Sequence, residues 1–258
     1  MTVEAANTSD FKMPARIIGV LGMHRSGTSC LTGSLEEAGL ALGERHTWNP
    51  HNLKGNRENQ HIVDLNDSIL EDNGAAWNKP PSGTVTWRPE RVEAARALLA
   101  DHADEPIFGF KDPRALLTLD GWKAIYPKLE FVGIFRHPNA VARSLDKRSS
   151  ISRAEAMKLW YAYNSALYRE YKLNPFPILC FDDDEDTLDR KIVSVMADMG
   201  LSRKDDTERF YSAELKNNVD VDGPSLPWRQ QTGQANVCLT RVSAAVWAAA
   251  SGGSSPCR

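Results

Sequence analysis

Short apolar runs alternate along the chain with longer segments in which apolar residues recur every three or four positions. The short runs have the length and the branched or aromatic content that strands buried on both faces require, and they cover residues 16–22, 106–111, 130–135 and 177–181. The helical spacing predicts helices over about residues 31–38, 60–70, 91–102, 139–148, 153–172 and 188–199. Because strands that alternate with helices form a parallel sheet, the pattern predicts an α/β fold with a central parallel sheet flanked by helices.

Two regions depart from this alternation. Residues 48–83 are rich in Asn, Pro and Gly around a single predicted helix, which is typical of an active-site insertion. The pattern fades after about Asp205, and the end of the chain is a low-complexity mixture of Ala, Ser and Gly. We therefore predict a tail over residues 1–14, one domain over residues 15–230 and a weakly structured tail over residues 231–258.

Composition and charge narrow the function classes. The 258 residues include 31 Lys and Arg against 34 Asp and Glu, so the net charge of −3 argues against nucleic acid or an anionic membrane as a partner. The first residues do not resemble a signal peptide and no apolar run reaches 18 residues, so we expect a cytoplasmic protein without membrane insertion. The cysteines are far apart in sequence and are predicted to be free thiols: Cys30, Cys180, Cys238 and Cys257.

The chemistry is concentrated in the sequence GMHRSGTS, from Gly22 to Ser29, which follows the first predicted strand and opens a helix. The backbone N–H groups of such a loop form an anion cradle with the helix N-terminus, so we predict a P-loop-like three-layer fold. The loop lacks the lysine of the nucleoside-triphosphate motif GxxxxGK[ST], and its cation is Arg25. Together with the lack of a convincing aspartate for Mg²⁺, this favours a transferred group less charged than phosphoryl, such as sulfuryl.

The segment GMHRSGTSCL resembles the 5′-phosphosulfate loop of the sulfotransferases that use 3′-phosphoadenosine 5′-phosphosulfate (PAPS), in the arginine form of carbohydrate, tyrosylprotein and many bacterial members. A second segment, FVGIFRHPNAVARSL, matches the 3′-phosphate motif of that family with Arg136 and Ser144. The resemblance continues in order over about residues 16–202. It implies that the nucleotide is bound by His24, Arg25, Ser26, Gly27, Thr28, Ser29, Arg136 and Ser144.

Sulfuryl transfer to a hydroxyl needs a base at the acceptor and positive charge at the leaving oxygen. We assign the leaving-oxygen charge to Arg25 and the base to Glu58, because arginine-type sulfotransferases carry a glutamate after the first helix. His61 and Asp112 remain alternative bases. Lys111 lies at the carboxyl end of a predicted strand and is assigned to the sulfonate or the acceptor.

Three further sets of residues could suggest a site: aromatic residues, an acidic run and the histidines. The aromatic residues Trp77, Trp160 and Tyr163 either line an acceptor pocket or belong to the core. The acidic run from Asp182 to Asp186 lacks the spacing of a calcium loop and is interpreted as a solvated strand end. The histidines show no metal-ligand spacing, so no metal site is predicted.

The sequence therefore predicts a PAPS-dependent sulfotransferase that acts, without a metal, on a hydroxyl of a carbohydrate, glycolipid or small molecule. The alternatives are a P-loop small-molecule kinase that uses ATP and Mg²⁺, and a nucleotide-binding protein without catalysis. The identity of the acceptor and the oligomeric state are not predicted, since fold and charge do not select among acceptors.

Overall fold

The structure is a computed structural model that describes residues 12–48, 55–149, 151–203 and 210. Its strands are β1 (Ile17–Leu21), β2 (Phe108–Lys111), β3 (Glu130–Phe135) and β4 (Ile178–Cys180). Its helices are α1 (Thr28–Glu37), α2 (Gln60–Asp72), α3 (Pro89–Ala100), α4 (Ala115–Ile125), α5 (Pro138–Ser149), α6 (Arg153–Leu173) and α7 (Glu185–Asp198). The predicted tail over residues 231–258 lies outside the described residues, as do Cys238 and Cys257.

Within the described residues the strands form one parallel sheet in the order β2-β1-β3-β4. Side chains alternate across this sheet, since Ile17 and Leu21 of β1 lie in one core and Ile18 and Val20 in the other. Helices α1 and α7 cover the second core, while α2 to α6 contribute to the first. The predicted three-layer α/β fold is confirmed.

Helix α4 is absent from the sequence-based prediction. Its buried residues Ala115, Leu116, Leu119 and Trp122 follow helical spacing, but Gly121 weakens the pattern. The structure explains this glycine, because a Cβ at position 121 would overlap the indole ring of Trp87. Packing against Trp87 therefore selects a residue that helix propensity disfavours.

The carboxyl ends of all the parallel strands meet at one edge, where open α/β sheets bind ligands. The loop that precedes α1 follows β1, Asp112 follows β2, Arg136 follows β3, and Phe181 follows β4. The segments that carry the predicted chemistry thus converge although they are separated along the chain.

Three further findings concern the described part of the chain. Cys30 and Cys180 are buried thiols, as predicted. No helix there combines the length and the apolar character that a bilayer span requires. No group of three or more His, Cys, Asp or Glu side chains there has the arrangement of a metal site.

Candidate active site at the carboxyl edge of the sheet

The loop between β1 and α1 contains two left-handed residues. Arg25 and Gly27 have φ angles of 66° and 89°, which lie in the left-handed region. A Cβ at position 27 would overlap the ring of Phe181, so this position requires glycine for both conformation and space. Helix α1 begins at Thr28, and its first-turn N–H groups have no helix carbonyl to donate to. Such N–H groups and the helix dipole favour a bound anion.

Ser26 is a fully buried residue of this loop. Its exposed fraction is 0% and its Oγ has no hydrogen-bond partner among the described residues. Its backbone N–H donates to the Met23 carbonyl at 3.3 Å, which closes a turn inside the loop. Because buried hydroxyls nearly always have a partner, this oxygen fits a loop that takes its partner from a bound group.

Arg25 lies against helix α5. Its Nε donates a hydrogen bond to Ser144 Oγ at 2.8 Å, across 119 positions of the sequence. The cation of the first predicted nucleotide motif therefore contacts the serine of the second motif. Arg25 has a left-handed backbone conformation and lies two residues before Gly27, the N-cap of α1.

Arg136 is held from the end of β4. Its Nε lies 3.3 Å from Asp182 Oδ1, and its guanidinium carbon lies 5.1 Å from the centroid of the Phe181 ring. The other oxygen of Asp182 accepts the backbone N–H of His137 at 2.6 Å. The interpretation of the acidic run as a solvated strand end is therefore wrong for Asp182, whose side chain is mostly buried and whose two carboxylate oxygens each have a partner. It holds for residues 184–186, which are exposed, and Asp184 also caps α7.

Glu58 and Lys111 form a close ion pair. Lys111 Nζ donates to Glu58 Oε1 at 2.6 Å, and the Lys111 side chain is only 3% exposed. Among the described residues, Glu58 Oε2 has no hydrogen-bond partner, and the Glu58 side chain is 14% exposed. The predicted base and the predicted strand-end lysine thus belong to one pair.

Backbone contacts hold Glu58 in place. Its carbonyl accepts the His46 N–H at 3.0 Å, and Asn59, the next residue, caps α2. Ser29 of α1 donates its hydroxyl to the Asn56 carbonyl at 3.1 Å. The loop that carries Glu58 is therefore bonded to α1, the helix that follows the anion loop.

Asp112 is fully buried in a polar network behind this pair. Asn66 donates to Asp112 Oδ2 at 2.9 Å and Arg114 donates to Oδ1 at 2.9 Å. Burial, with a smaller contribution from the Glu58 carboxylate, raises the pKa of Asp112 to about 6 against the opposing effect of Arg114. Since both oxygens are occupied and the residue is 0% exposed, Asp112 is not presented to an acceptor. His61, the other alternative base, lies exposed in the first turn of α2.

Aromatic rings surround His24 at the start of the loop. The His24 ring centroid lies 4.9 Å from that of Trp77 and 5.8 Å from that of Tyr163. Tyr163 donates its hydroxyl to the Trp77 carbonyl at 2.8 Å, and its burial raises the pKa of this phenol well above the ordinary value. Trp160 is buried and donates to the Arg136 carbonyl at 2.8 Å. Trp160 and Tyr163 therefore belong to the core, whereas Trp77 is partly exposed beside the loop.

Comparison with solved structures identifies the fold. The sulfotransferase domain of the olefin synthase from Synechococcus PCC 7002 superposes with a TM-score of 0.53 and 17% sequence identity, covering 92% of this chain and 96% of that one. This is a sulfotransferase fold. A sulfotransferase from Mycobacterium tuberculosis is also similar, with a TM-score of 0.46, 19% identity and coverage of 76% of this chain and 70% of that one. No protein-family model and no curated protein matches the sequence.

The sulfotransferase fold brings the predicted residues together in two groups. The first contains the loop and its partners on α5, β3 and β4, and it includes the contact between Arg25 and Ser144. The second is the pair formed by Glu58 and Lys111 at the end of β2. Ser29, predicted to contact the nucleotide, uses its hydroxyl to bridge the two groups through Asn56.

The sequence analysis did not assign functional positions to three residues of this sulfotransferase fold. Phe181 packs on Gly27 and under Arg136, Asp182 binds Arg136, and Asn66 binds Asp112. The available signal was position, since Phe181 and Asp182 directly follow a strand whose carboxyl end lies at the ligand edge. Asn66 carried a weaker signal, as a polar residue at a buried position of an amphipathic helix.

Proposed function

We propose that this protein transfers a sulfuryl group from PAPS to a hydroxyl of a carbohydrate, glycolipid or small-molecule acceptor. The observation that carries the proposal is the contact between Arg25 and Ser144. It joins the two segments that resemble the nucleotide motifs of sulfotransferases, although 119 positions separate them. The shared fold with the olefin synthase sulfotransferase domain supports the same conclusion.

The chemistry of the site suits a nucleotide with phosphates at both ends of its ribose. The left-handed loop, the first turn of α1 and the unpartnered hydroxyl of Ser26 suit the 5′ group. Arg136 and Ser144 suit the 3′-phosphate, because a guanidinium grips phosphate through two N–H groups and a hydroxyl adds a third donor. His24, Thr28 and Ser29 complete the proposed nucleotide contacts.

In the proposed reaction the acceptor oxygen bonds to sulfur while the bond from sulfur to the nucleotide's phosphate oxygen breaks. Glu58 takes the hydroxyl proton on its second carboxylate oxygen, since the first is paired with Lys111. Lys111 orients that carboxylate and supplies positive charge near the transferred group. Arg25 stabilises the negative charge that develops on the leaving oxygen.

Calorimetric titration with adenosine 3′,5′-bisphosphate, the desulfated product, tests the nucleotide assignment. We expect binding with or without Mg²⁺, and we expect Arg136→Ala to lose most of it because the 3′-phosphate loses its bidentate partner. Arg190→Ala is the matched control, since Arg190 is exposed on α7 and bonds only to its own helix. Preference for ATP with Mg²⁺ would overturn the assignment in favour of a kinase.

Turnover separates an enzyme from a nucleotide-binding protein without catalysis. A panel of sugars, glycolipids and small hydroxyl compounds, offered with PAPS, should yield a sulfated product detectable by mass spectrometry. Glu58→Gln removes the proposed base but keeps an oxygen for Lys111, so product formation should stop while the bisphosphate still binds. If the wild type binds the bisphosphate but forms no sulfated product with any acceptor, the protein is better described as one that only binds the nucleotide.

A further inference from the structure

Asp182 places a negative charge beside the arginine that is proposed to hold the 3′-phosphate. Its Oδ1 lies 3.3 Å from Arg136 Nε, and its Oδ2 accepts the His137 N–H at 2.6 Å. The side chains of Asp182 and Arg136 are 15% and 12% exposed. Charges this far removed from water are screened less than surface charges, so the carboxylate acts strongly on any neighbouring anion.

The guanidinium of Arg136 has a fixed orientation. Asp182 engages only its Nε, and the Phe181 ring lies against it with 5.1 Å between the guanidinium carbon and the ring centroid. Within the described residues, the two terminal nitrogens of Arg136 make no hydrogen bond. They form the fork that can hold one phosphate through two parallel bonds.

The contact of Asp182 with Arg136 therefore has two opposing effects on phosphate binding. The bond to Nε keeps the fork in one orientation, which favours binding because less side-chain freedom is lost. The carboxylate also repels a dianion that contacts the same guanidinium. Repulsion between full charges in a partly desolvated site exceeds the gain from restraining one side chain. The net effect of Asp182 is therefore to weaken phosphate binding.

We propose that Asp182 is a positioning residue that weakens the hold of Arg136 on the 3′-phosphate and so promotes release of the desulfated nucleotide. This inference rests on the proposed function. After transfer, the desulfated nucleotide still carries both phosphates. It is therefore held by the same residues that bound the donor, and it must leave from that site. A carboxylate that shares the guanidinium charge limits how tightly this product is retained.

The test compares Asp182→Asn with Asp183→Asn by titration calorimetry. Asparagine keeps the shape and one acceptor oxygen, which serves either the His137 N–H or Arg136 Nε, and it removes the charge. Asp183 is the matched control, because it is the next residue and pairs with Lys191 at 2.6 Å rather than with Arg136. The ligands are adenosine 3′,5′-bisphosphate and adenosine 5′-monophosphate, which lacks the 3′-phosphate.

We expect Asp182→Asn to bind the bisphosphate about tenfold more tightly than the wild type and the monophosphate with unchanged affinity. Asp183→Asn should match the wild type with both ligands. Equal or weaker bisphosphate binding by Asp182→Asn would overturn the inference, and so would equal tightening for both ligands. Asp182→Ser, which also removes the charge and keeps a hydroxyl acceptor, replaces the variant if Asp182→Asn does not reach the wild-type melting temperature.

The same titration separates the inference from the function on which it rests. If the wild type binds no adenosine 3′,5′-bisphosphate, the proposed function fails and the inference fails with it. If the wild type binds it and removal of the Asp182 charge does not tighten binding, only the inference fails.

Discussion

The Nε of Arg25 donates to the Oγ of Ser144 at 2.8 Å, and this bond joins the loop after β1 to the middle of α5. The arginine side chain is therefore oriented by a helix that belongs to a different segment of the fold. Ser144 contacts Arg25 and is also proposed to contact the nucleotide. Under the proposed function, the position of the Arg25 guanidinium and the binding of the 3′ end of the nucleotide are linked through one hydroxyl.

Replacement of Arg25 by alanine should reduce turnover at least ~100-fold, because one preorganised donor to a developing oxyanion contributes about 3 kcal/mol. The measurement is the initial rate of sulfated-product formation by purified protein at saturating PAPS. Arg190→Ala should retain wild-type turnover, since Arg190 bonds only within α7. Near-normal turnover by a folded Arg25→Ala protein would remove Arg25 from the reaction.

Glu58→Gln should reduce turnover at least ~100-fold, because the amide cannot take the acceptor proton. Nucleotide affinity should be nearly unchanged, since Glu58 pairs with Lys111 and not with the proposed nucleotide residues. Single-turnover product formation and bisphosphate titration measure the two effects separately. Glu90→Gln, a change at the start of α3, serves as the control. An active Glu58→Gln protein would return His61 to consideration as the base.

Gly27→Ala should destabilise the protein more than Gly74→Ala does. Both glycines have positive φ angles, of 89° and 66°, so alanine is strained by about 1 to 2 kcal/mol at either position. Only at position 27 would the new Cβ also overlap the Phe181 ring, whereas position 74 has open space. Overpacking adds about 1 to 3 kcal/mol, measurable by urea denaturation. Equal losses in free energy of unfolding would show that Phe181 does not restrict the loop.

Asp112 should make the stability of the protein depend on pH. Burial raises its pKa from an ordinary 3.8 to about 6, so the protonated form stabilises the fold below pH 3.8 and this contribution is lost as the pH rises through 6. The free energy of unfolding of the wild type, minus that of Asp112→Asn, should therefore fall by about 2 kcal/mol between about pH 4.5 and 7.5.

The difference between the two proteins is the quantity to compare, because carboxylates with lowered pKa values act in the opposite direction. Asp72 and Asp184 are such groups, held by hydrogen bonds from Arg91 and the Thr187 backbone respectively. Their effects cancel when the wild type and Asp112→Asn are measured by urea denaturation at the same pH values. A constant difference across this range would mean that Asp112 titrates normally.

The elements that sequence reasoning predicted are those whose signal is local. Strand β3 is a continuous apolar run and α6 has apolar residues at helical spacing, so both were predicted to within a few residues. Helix α4 was missed because Gly121 is selected by contact with Trp87, which is distant in sequence. A local pattern does not record such a contact.

The same distinction applies to the candidate site. The loop around Gly27 was predicted because its residues are consecutive and follow a strand. The pairing of Glu58 with Lys111 and that of Arg136 with Asp182 span 53 and 46 positions, and both depend on the strand order. Parallel strands were predicted, but their order is set by packing between layers and has no local signature.

Strand β1 lies between β2 and β3, so the anion loop that follows β1 lies between the proposed base and the proposed 3′-phosphate residues. The proposed base and its lysine are on the β2 side, and the proposed 3′-phosphate residues are on the side of β3 and β4. Under the proposed function, acceptor choice and donor choice are separable traits. Under that function, exchange of residues 55–83 for the corresponding segment of a sulfotransferase with a different acceptor should redirect transfer to a new hydroxyl compound, while the nucleotide stays the same.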